Sequence, residues 1–214
     1  MVDGAKAPKL LHVLCSPRIE SASSAAALAF LETFQGTQPS GEIDVRDLWR
    51  EGLPEFNQDL LDAKDAVRRR AGFNSPQRDA WAIIEHMAVR FPLAERVLFF
   101  TPVWNFGLPY KLKHHIDLIN QPRLTFRFDP TVGYILLLKD RPTLAIMASG
   151  GDFVTGMNRG RIDMATPYLR EAPRFISVRS VEFVNFGPTV GPQEAIGAAR
   201  QSAHRRLAEL ARRF

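Results

Sequence analysis

Three short stretches of the chain combine residue types that can hold a flat, charged ligand: SPRIESASS (Ser16 to Ser24), PVWNFG (Pro102 to Gly107) and ASGG (Ala148 to Gly151). The first offers serine hydroxyls and the free backbone N–H groups of a helix start, and Arg18 adds positive charge, which together make an anion site suited to a phosphate. The second carries two aromatic faces, Trp104 and Phe106, and the amide of Asn105. These suit a partly polar heteroaromatic ring. The third pairs glycines after a strand, where a backbone can approach a ligand closely. Plain N-capping by Ser21 or Ser23, and a simple turn at Gly150 and Gly151, are bland alternatives that the same residues allow. No GxGxxG fingerprint and no P-loop lysine is present, so dinucleotide and Walker-type sites are excluded from the first loop.

The elements that must position these loops are strands. Val97 to Phe100 is an apolar run rich in β-formers, as a strand buried on both faces of a parallel sheet requires, and it delivers the Trp104 loop. Lys9 to Cys15 and Pro142 to Ala148 read the same way and deliver the serine loop and the glycine pair. Gly41 to Leu48 alternates, with Asp44 and Arg46 on one side and Ile43 and Val45 on the other, and Val181 to Phe186 supplies a fifth strand. Helical spacing joins Ala27, Phe30, Leu31 and Phe34; Trp81, Ile84 and Met87 behind a start at Ser75-Pro76; Leu112, Ile116 and Ile119 behind Pro109; and Ile196 to Leu210. Helices are also expected over Leu60 to Ala71 and Arg161 to Arg170. Trp81 reads as core and His86 as structural. His114 and His115 point about 100° apart on one helix, which keeps them from sharing a ligand. Asn120 to Arg141 is long and mixed, with LTFRF at Leu124 to Phe128, and a segment of that kind serves as a lid or an interface.

Five strands separated by helices predict an α/β fold, a flavodoxin-like three-layer sandwich whose parallel sheet has the order 2-1-3-4-5. In that order strands one, three and four are neighbours, so the three loops converge at the carboxyl edge where ligands of such sheets bind. Phosphate, ring and polar ring edge then make an FMN-shaped site. With 214 residues, 45% hydrophobic and 24% charged, one domain spanning 1–214 is expected. The apolar runs are far shorter than the roughly 18 residues of a membrane span, Met1 to Lys9 lacks a signal-type apolar core, and the expected compartment is the cytoplasm. One cysteine and five scattered histidines lack disulfide or zinc spacing, so no metal site is expected. The net charge of +5 favours anionic ligands. The basic runs, such as Arg68 to Arg70, lie on predicted helices without interleaved aromatics and read as solvated faces rather than a nucleic-acid surface.

These stretches resemble the FMN-dependent NADH azoreductases, the flavodoxin-fold quinone reductases of bacteria. The resemblance rests on SPRIESAS, TPVWNFGLPYKLKHHID, LTFRF, ASGG and TPYL at Thr166 to Leu169, and covers nearly the whole chain. It implies FMN as cofactor, with Ser16, Ser21 and Ser23 at the phosphate and Arg18 beside them. It places Pro102, Val103, Trp104, Asn105 and Phe106 on the isoalloxazine, and Ala148, Ser149, Gly150 and Gly151 at its pyrimidine end. Phe126 and Phe175 resemble aromatics near the family's substrate pocket; a core role is the alternative. The serine loop is one residue shorter than the commonest family form, which leaves Ser23 or Ser24 as the second serine. The resemblance also implies a homodimer with active sites at the interface, NADH or NADPH as donor, and quinones, azo dyes and nitroaromatics as acceptors. No side chain of the three loops stands out as a catalytic acid or base, so the chemistry falls to the flavin. With no second nucleotide fold, both substrates share one site and ping-pong kinetics follow. The rival from another class is a flavodoxin-type electron carrier, for which a basic chain with a long middle insertion is unsuited.

Overall fold

A computed structural model describes residues 9–18, 22–153 and 161–214, apart from the side chains of residues 22, 23 and 25. Five parallel strands, β1 (Lys9–Leu14), β2 (Glu42–Asp47), β3 (Arg96–Pro102), β6 (Thr143–Ala148) and β7 (Glu182–Phe186), form one sheet in the order β2-β1-β3-β6-β7. This is the expected 2-1-3-4-5 order, because β4 (Phe126–Asp129) and β5 (Gly133–Leu136) pair with each other, antiparallel, outside the sheet. Asn120 to Arg141, which reads in the sequence as a lid or an interface, thus carries a hairpin of its own.

The strands alternate between two cores. Leu10, Leu98, Phe100, Leu144 and Ile146 pack under α1 (Ala22–Thr37) and α7 (Gln193–Arg213) through Phe30, Phe34, Leu207 and Leu210. Leu11, Val13, Val97, Phe99 and Met147 face α2 (Gln58–Arg69), α3 (Ser75–Ala88) and α5 (Tyr110–Ile119). Each buried leucine or phenylalanine removes enough apolar surface to contribute about 1.5–3 kcal/mol. Central β3 is buried along Val97 to Thr101, as its apolar run demands.

Local chemistry sets several boundaries. Asn74 caps α3, its side chain accepting from Gln77 N at 2.9 Å while Gln77 Oε1 accepts from Asn74 N at 3.0 Å, so the helix start expected at Ser75-Pro76 is closed by the residue before it. His86 is exposed rather than structural: two residues beyond Ile84, it falls off the buried Trp81, Ile84 and Met87 stripe. The helix expected from Arg161 begins only at Ala165, as α6 (Ala165–Glu171), because Asp163 Oδ1 accepts from the N–H groups of Ala165 and Thr166 at 2.9 and 3.0 Å and fixes the first turn there. On edge strand β2 the charged side turns inward. Arg90, from the short helix α4 (Arg90–Leu93), bonds Asp44 and reaches Glu51 at 3.0 Å, and Glu51 also pairs with buried Arg46. Charged residues on an edge discourage pairing with another chain.

Candidate active site

The sheet brings three loop starts to one edge, and the ladder continues into them. Cys15 N donates to Phe100 O at 2.8 Å, Val103 N to Ala148 O at 2.7 Å, and Ser149 N to Phe186 O at 3.0 Å. Each loop therefore leaves its strand in register with the next, which aligns the serine, Trp104 and glycine stretches side by side.

The middle loop is a two-residue hairpin. Trp104 N and Gly107 N each donate to the other's carbonyl at 2.9 Å, and the residues between, Asn105 and Phe106, have φ of 47° and 70°. Positive φ at both central positions is the type I′ pattern. Asparagine tolerates it, whereas a phenylalanine there costs about 1–2 kcal/mol. The structure holds Phe106 in place through Met164 N, which donates to its carbonyl at 3.0 Å. As a result Trp104 and Phe106 stay 37% and 42% exposed, and the backbone N–H groups of Asn105 and Phe106 have no protein partner among the described residues.

Trp49, just past the second strand, lies outside the three stretches that the sequence singles out. Its ring lies 5.7 Å from Trp104, tilted by 57°, and meets Tyr110 edge-on at 5.7 Å, with Lys111 Nζ 5.2 Å from its centroid. The usable signal was its place immediately after strand two, whose neighbour carries the serine loop. Trp49 and Thr101 enclose the Cys15 thiol, and burial pushes that thiol up to about 12, so it stays protonated and inert at neutral pH.

In the third loop Ser149 is turned inward. Its hydroxyl donates to Gly151 O at 2.7 Å, and its carbonyl accepts from Thr189 N at 2.9 Å and Thr189 Oγ1 at 3.1 Å. Behind it sits Gly187, also unnoticed in the sequence: a Cβ there would lie 2.5 Å from Ser149 Oγ and 2.8 Å from Gly151 O. Glycine at 187 lets the loop sit back against β7. Gly150 is exposed, and its N–H is free of protein partners among the described residues.

In the serine loop, Arg18 N donates to Ser16 Oγ at 3.3 Å and Ser24 Oγ donates to Arg18 O at 3.0 Å. Ser24 thus commits its proton within the loop, and the exposed Arg18 side chain has no ion-pair partner among the described residues. Ser21 and the side chain of Ser23 lie outside the described residues. Phe126 and Phe175 meet at 5.1 Å, and each packs edge-on against Tyr134. No ring contact among the described residues joins them to Trp104 or Phe106. The described residues contain no cluster of three metal-ligating side chains, and no helix among them is long and apolar enough to cross a membrane.

A family model described as the flavodoxin-like fold matches residues 8–210. FMN-dependent NADH:quinone oxidoreductase 1 of Bradyrhizobium diazoefficiens is 60% identical over 206 residues, 96% of this chain and 99% of that protein. The chain belongs to this flavodoxin-fold reductase family. FMN-dependent NADH:quinone oxidoreductase 3 of Pseudomonas fluorescens is 33% identical over 91% of this chain and 94% of that protein. The crystal structure of azoreductase from Bacillus anthracis strain Sterne superposes with a TM-score of 0.86 at 23% identity, covering 97% of this chain and all of that one, a likeness of fold.

The donor set of this reductase fits an FMN. Free N–H groups at Asn105, Phe106 and Gly150 suit the carbonyl and nitrogen acceptors of a flavin ring. Trp104 and Phe106 offer aromatic area, and Arg18, without an ion-pair partner among the described residues, suits a phosphate. Gly187 removes the one Cβ that would push the Ser149 loop forward.

Proposed function

We infer that the chain is an FMN-dependent NADH:quinone oxidoreductase. The observation that carries this is the 60% identity, over 96% of the chain, to a relative of that name, and the convergence of three suitable loops at one sheet edge supports it. Bound FMN would supply the hydride chemistry between NADH and quinone.

The chain's own residues bind and orient. Arg18 and Ser16, with Ser21 and Ser23, hold the phosphate. Pro102 and Val103 bring the loop alongside Ala148, Asn105 bonds the ring edge through its amide, and Trp104 and Phe106 cover its faces. Gly150 and Gly151 approach the pyrimidine end, and Ser149 shapes that loop from within. A type I′ turn closed at both ends needs no reorganisation when the ring arrives, which favours tight binding. None of the residues assigned to the ring, Pro102 to Phe106 and Ala148 to Gly151, is a side-chain acid or base, so proton exchange goes to solvent.

Among the described residues, Phe126 and Phe175 make no ring contact with Trp104 or Phe106. We assign them to the acceptor side of a homodimer, where the β4–β5 hairpin of one copy covers the sheet edge of the other. Azo dyes and nitroaromatics, flat like quinones, are further acceptors of this site. An NADH-dependent enzyme with one buried thiol belongs in the cytoplasm.

The test is an anaerobic titration. Protein reconstituted with FMN should show a perturbed flavin spectrum and bleach with NADH, then recover its colour on adding a quinone. A spectrum identical to free FMN, or no bleaching, overturns the reading.

A further inference from the structure

We propose that Trp49 is a positioning residue for the flavin loop, its ring holding the exposed Trp104 ring in one orientation before FMN arrives. The proposal takes its ligand from the oxidoreductase reading and goes beyond it by giving a role to a residue outside the three loops.

The backbone at Trp49 is fixed from strand to turn. β2 is laddered to β1, and Leu48 N donates to Leu14 O at 3.0 Å, so the pairing runs one residue past the strand. Asp47 then closes the turn: its Oδ1 accepts from Trp49 N at 2.9 Å and from Arg50 N at 3.2 Å, as in an Asx turn. Trp49 is thereby delivered to the carboxyl edge of the sheet, where the Cys15 and Trp104 loops begin. Its ring is held as well. Tyr110 meets it edge-on at 5.7 Å and Lys111 Nζ stands 5.2 Å from its centroid, both from the first turn of α5.

Trp104 is placed differently. Its two bonds with Gly107 fix its backbone, but the residue is 37% exposed, and among the described residues Trp49 supplies the one ring in contact with it. The two indoles lie 5.7 Å apart, tilted by 57°, inside the roughly 4.5–7 Å of favourable aromatic pairs. An exposed side chain with nothing against it samples several rotamers, and ordering it on binding costs affinity. A neighbour that orders it beforehand removes that cost.

Stability alone does not account for a tryptophan at 49. Its indole N–H is buried without an oxygen or nitrogen acceptor among the described residues and lies against the Cys15 thiol. A buried donor left without a good acceptor costs free energy. An aliphatic side chain would fill the same apolar space without that penalty; what the aromatic adds is its pairing with Trp104.

FMN dissociation constants from flavin fluorescence test this in Trp49→Leu, Trp49→Phe, Trp104→Leu and Trp49→Leu/Trp104→Leu. Trp49→Leu should weaken FMN about two- to tenfold, the cost of ordering one freed side chain. Trp49→Phe keeps a ring and lacks the N–H, and should bind FMN within about twofold of the native protein. In the Trp104→Leu protein, adding Trp49→Leu should change the affinity by less than about twofold, because the two residues act as one unit. The apo-protein supplies a readout free of the cofactor. In fluorotryptophan-labelled protein the Trp104 resonance, assigned by its loss in Trp104→Leu, should narrow to the width of a free side chain in Trp49→Leu and keep its native width in Trp49→Phe. Native FMN affinity in Trp49→Leu, an equal loss with and without Trp104, no rescue by phenylalanine, or an unchanged Trp104 line width in Trp49→Leu each overturns the proposal. If Trp49→Leu does not fold, Trp49→Met takes its place in every comparison. A native protein that binds no FMN refutes the oxidoreductase reading instead, and the line widths of the apo-protein still decide whether Trp49 orders Trp104.

Discussion

Asn105 does two things that substitution can separate. Its φ of 47° is tolerated by asparagine and free of strain in glycine, while its amide is the polar contact proposed for the flavin ring. Asn105→Gly should therefore keep the melting temperature of the apo-protein and weaken FMN by about 1 kcal/mol, the net value of one hydrogen bond and a fivefold to tenfold change in Kd. Asn105→Ala should weaken FMN as much and also lower apo stability by about 1 kcal/mol. Flavin fluorescence and thermal melts of the two variants check this, and unchanged FMN affinity in both removes Asn105 from the site. Gly187→Ala has a different signature. Its new Cβ would clash with Ser149 Oγ and Gly151 O, so the β6 loop must move; overpacking of this kind costs about 1–3 kcal/mol. Both the melting temperature and FMN affinity should fall, and a variant with native values for both would show that the loop has slack.

At the scale of elements, β1 and α5 each bury a histidine. His12 is 5% exposed and His115 1% exposed, and neither ring has a hydrogen-bond partner among the described residues. Burial lowers His12 to about 4, opposed by Asp47, and lowers His115 to about 3, with Arg46, Arg90 and His114 adding in the same direction. Both pKa values are depressed in the native state from 6.5, so stability is full above pH 6.5. As the pH falls, the unfolded chain takes up these protons first, and stability declines towards pH 4 and 3 by up to about 1.4 kcal/mol per pH unit for each histidine. Urea unfolding at about pH 7.5 and about pH 5 should show this loss, and His115→Phe should reduce the slope. An identical slope in that variant would place the acid sensitivity elsewhere.

For the whole molecule, the exposed aromatic hairpin bears on assembly. Phe128, Val132 and Tyr134 are 62%, 67% and 60% exposed on a hairpin that stands outside the main sheet. A two-fold dimer that lays this hairpin near the partner's sheet edge would cover part of it and complete the acceptor side. Light scattering at micromolar concentration should give twice 24.1 kDa; a mass of 24.1 kDa would remove the proposed role of Phe126 and Phe175.

The five-strand order and the three converging loops were legible in the chain because their causes are local. Short apolar runs make buried strands, helical spacing marks the crossovers, and the order of a parallel sheet decides which loops meet. The start of α6 was misread because Asp163 caps it, a side-chain bond that apolar spacing does not register. Trp49 beside Trp104, Gly187 behind Ser149, and Arg70 across from Phe128 are of another kind. Each joins residues tens of positions apart that share no periodic pattern. Their meeting depends on how loops and the hairpin pack once the sheet has formed, and tertiary structure alone decides that.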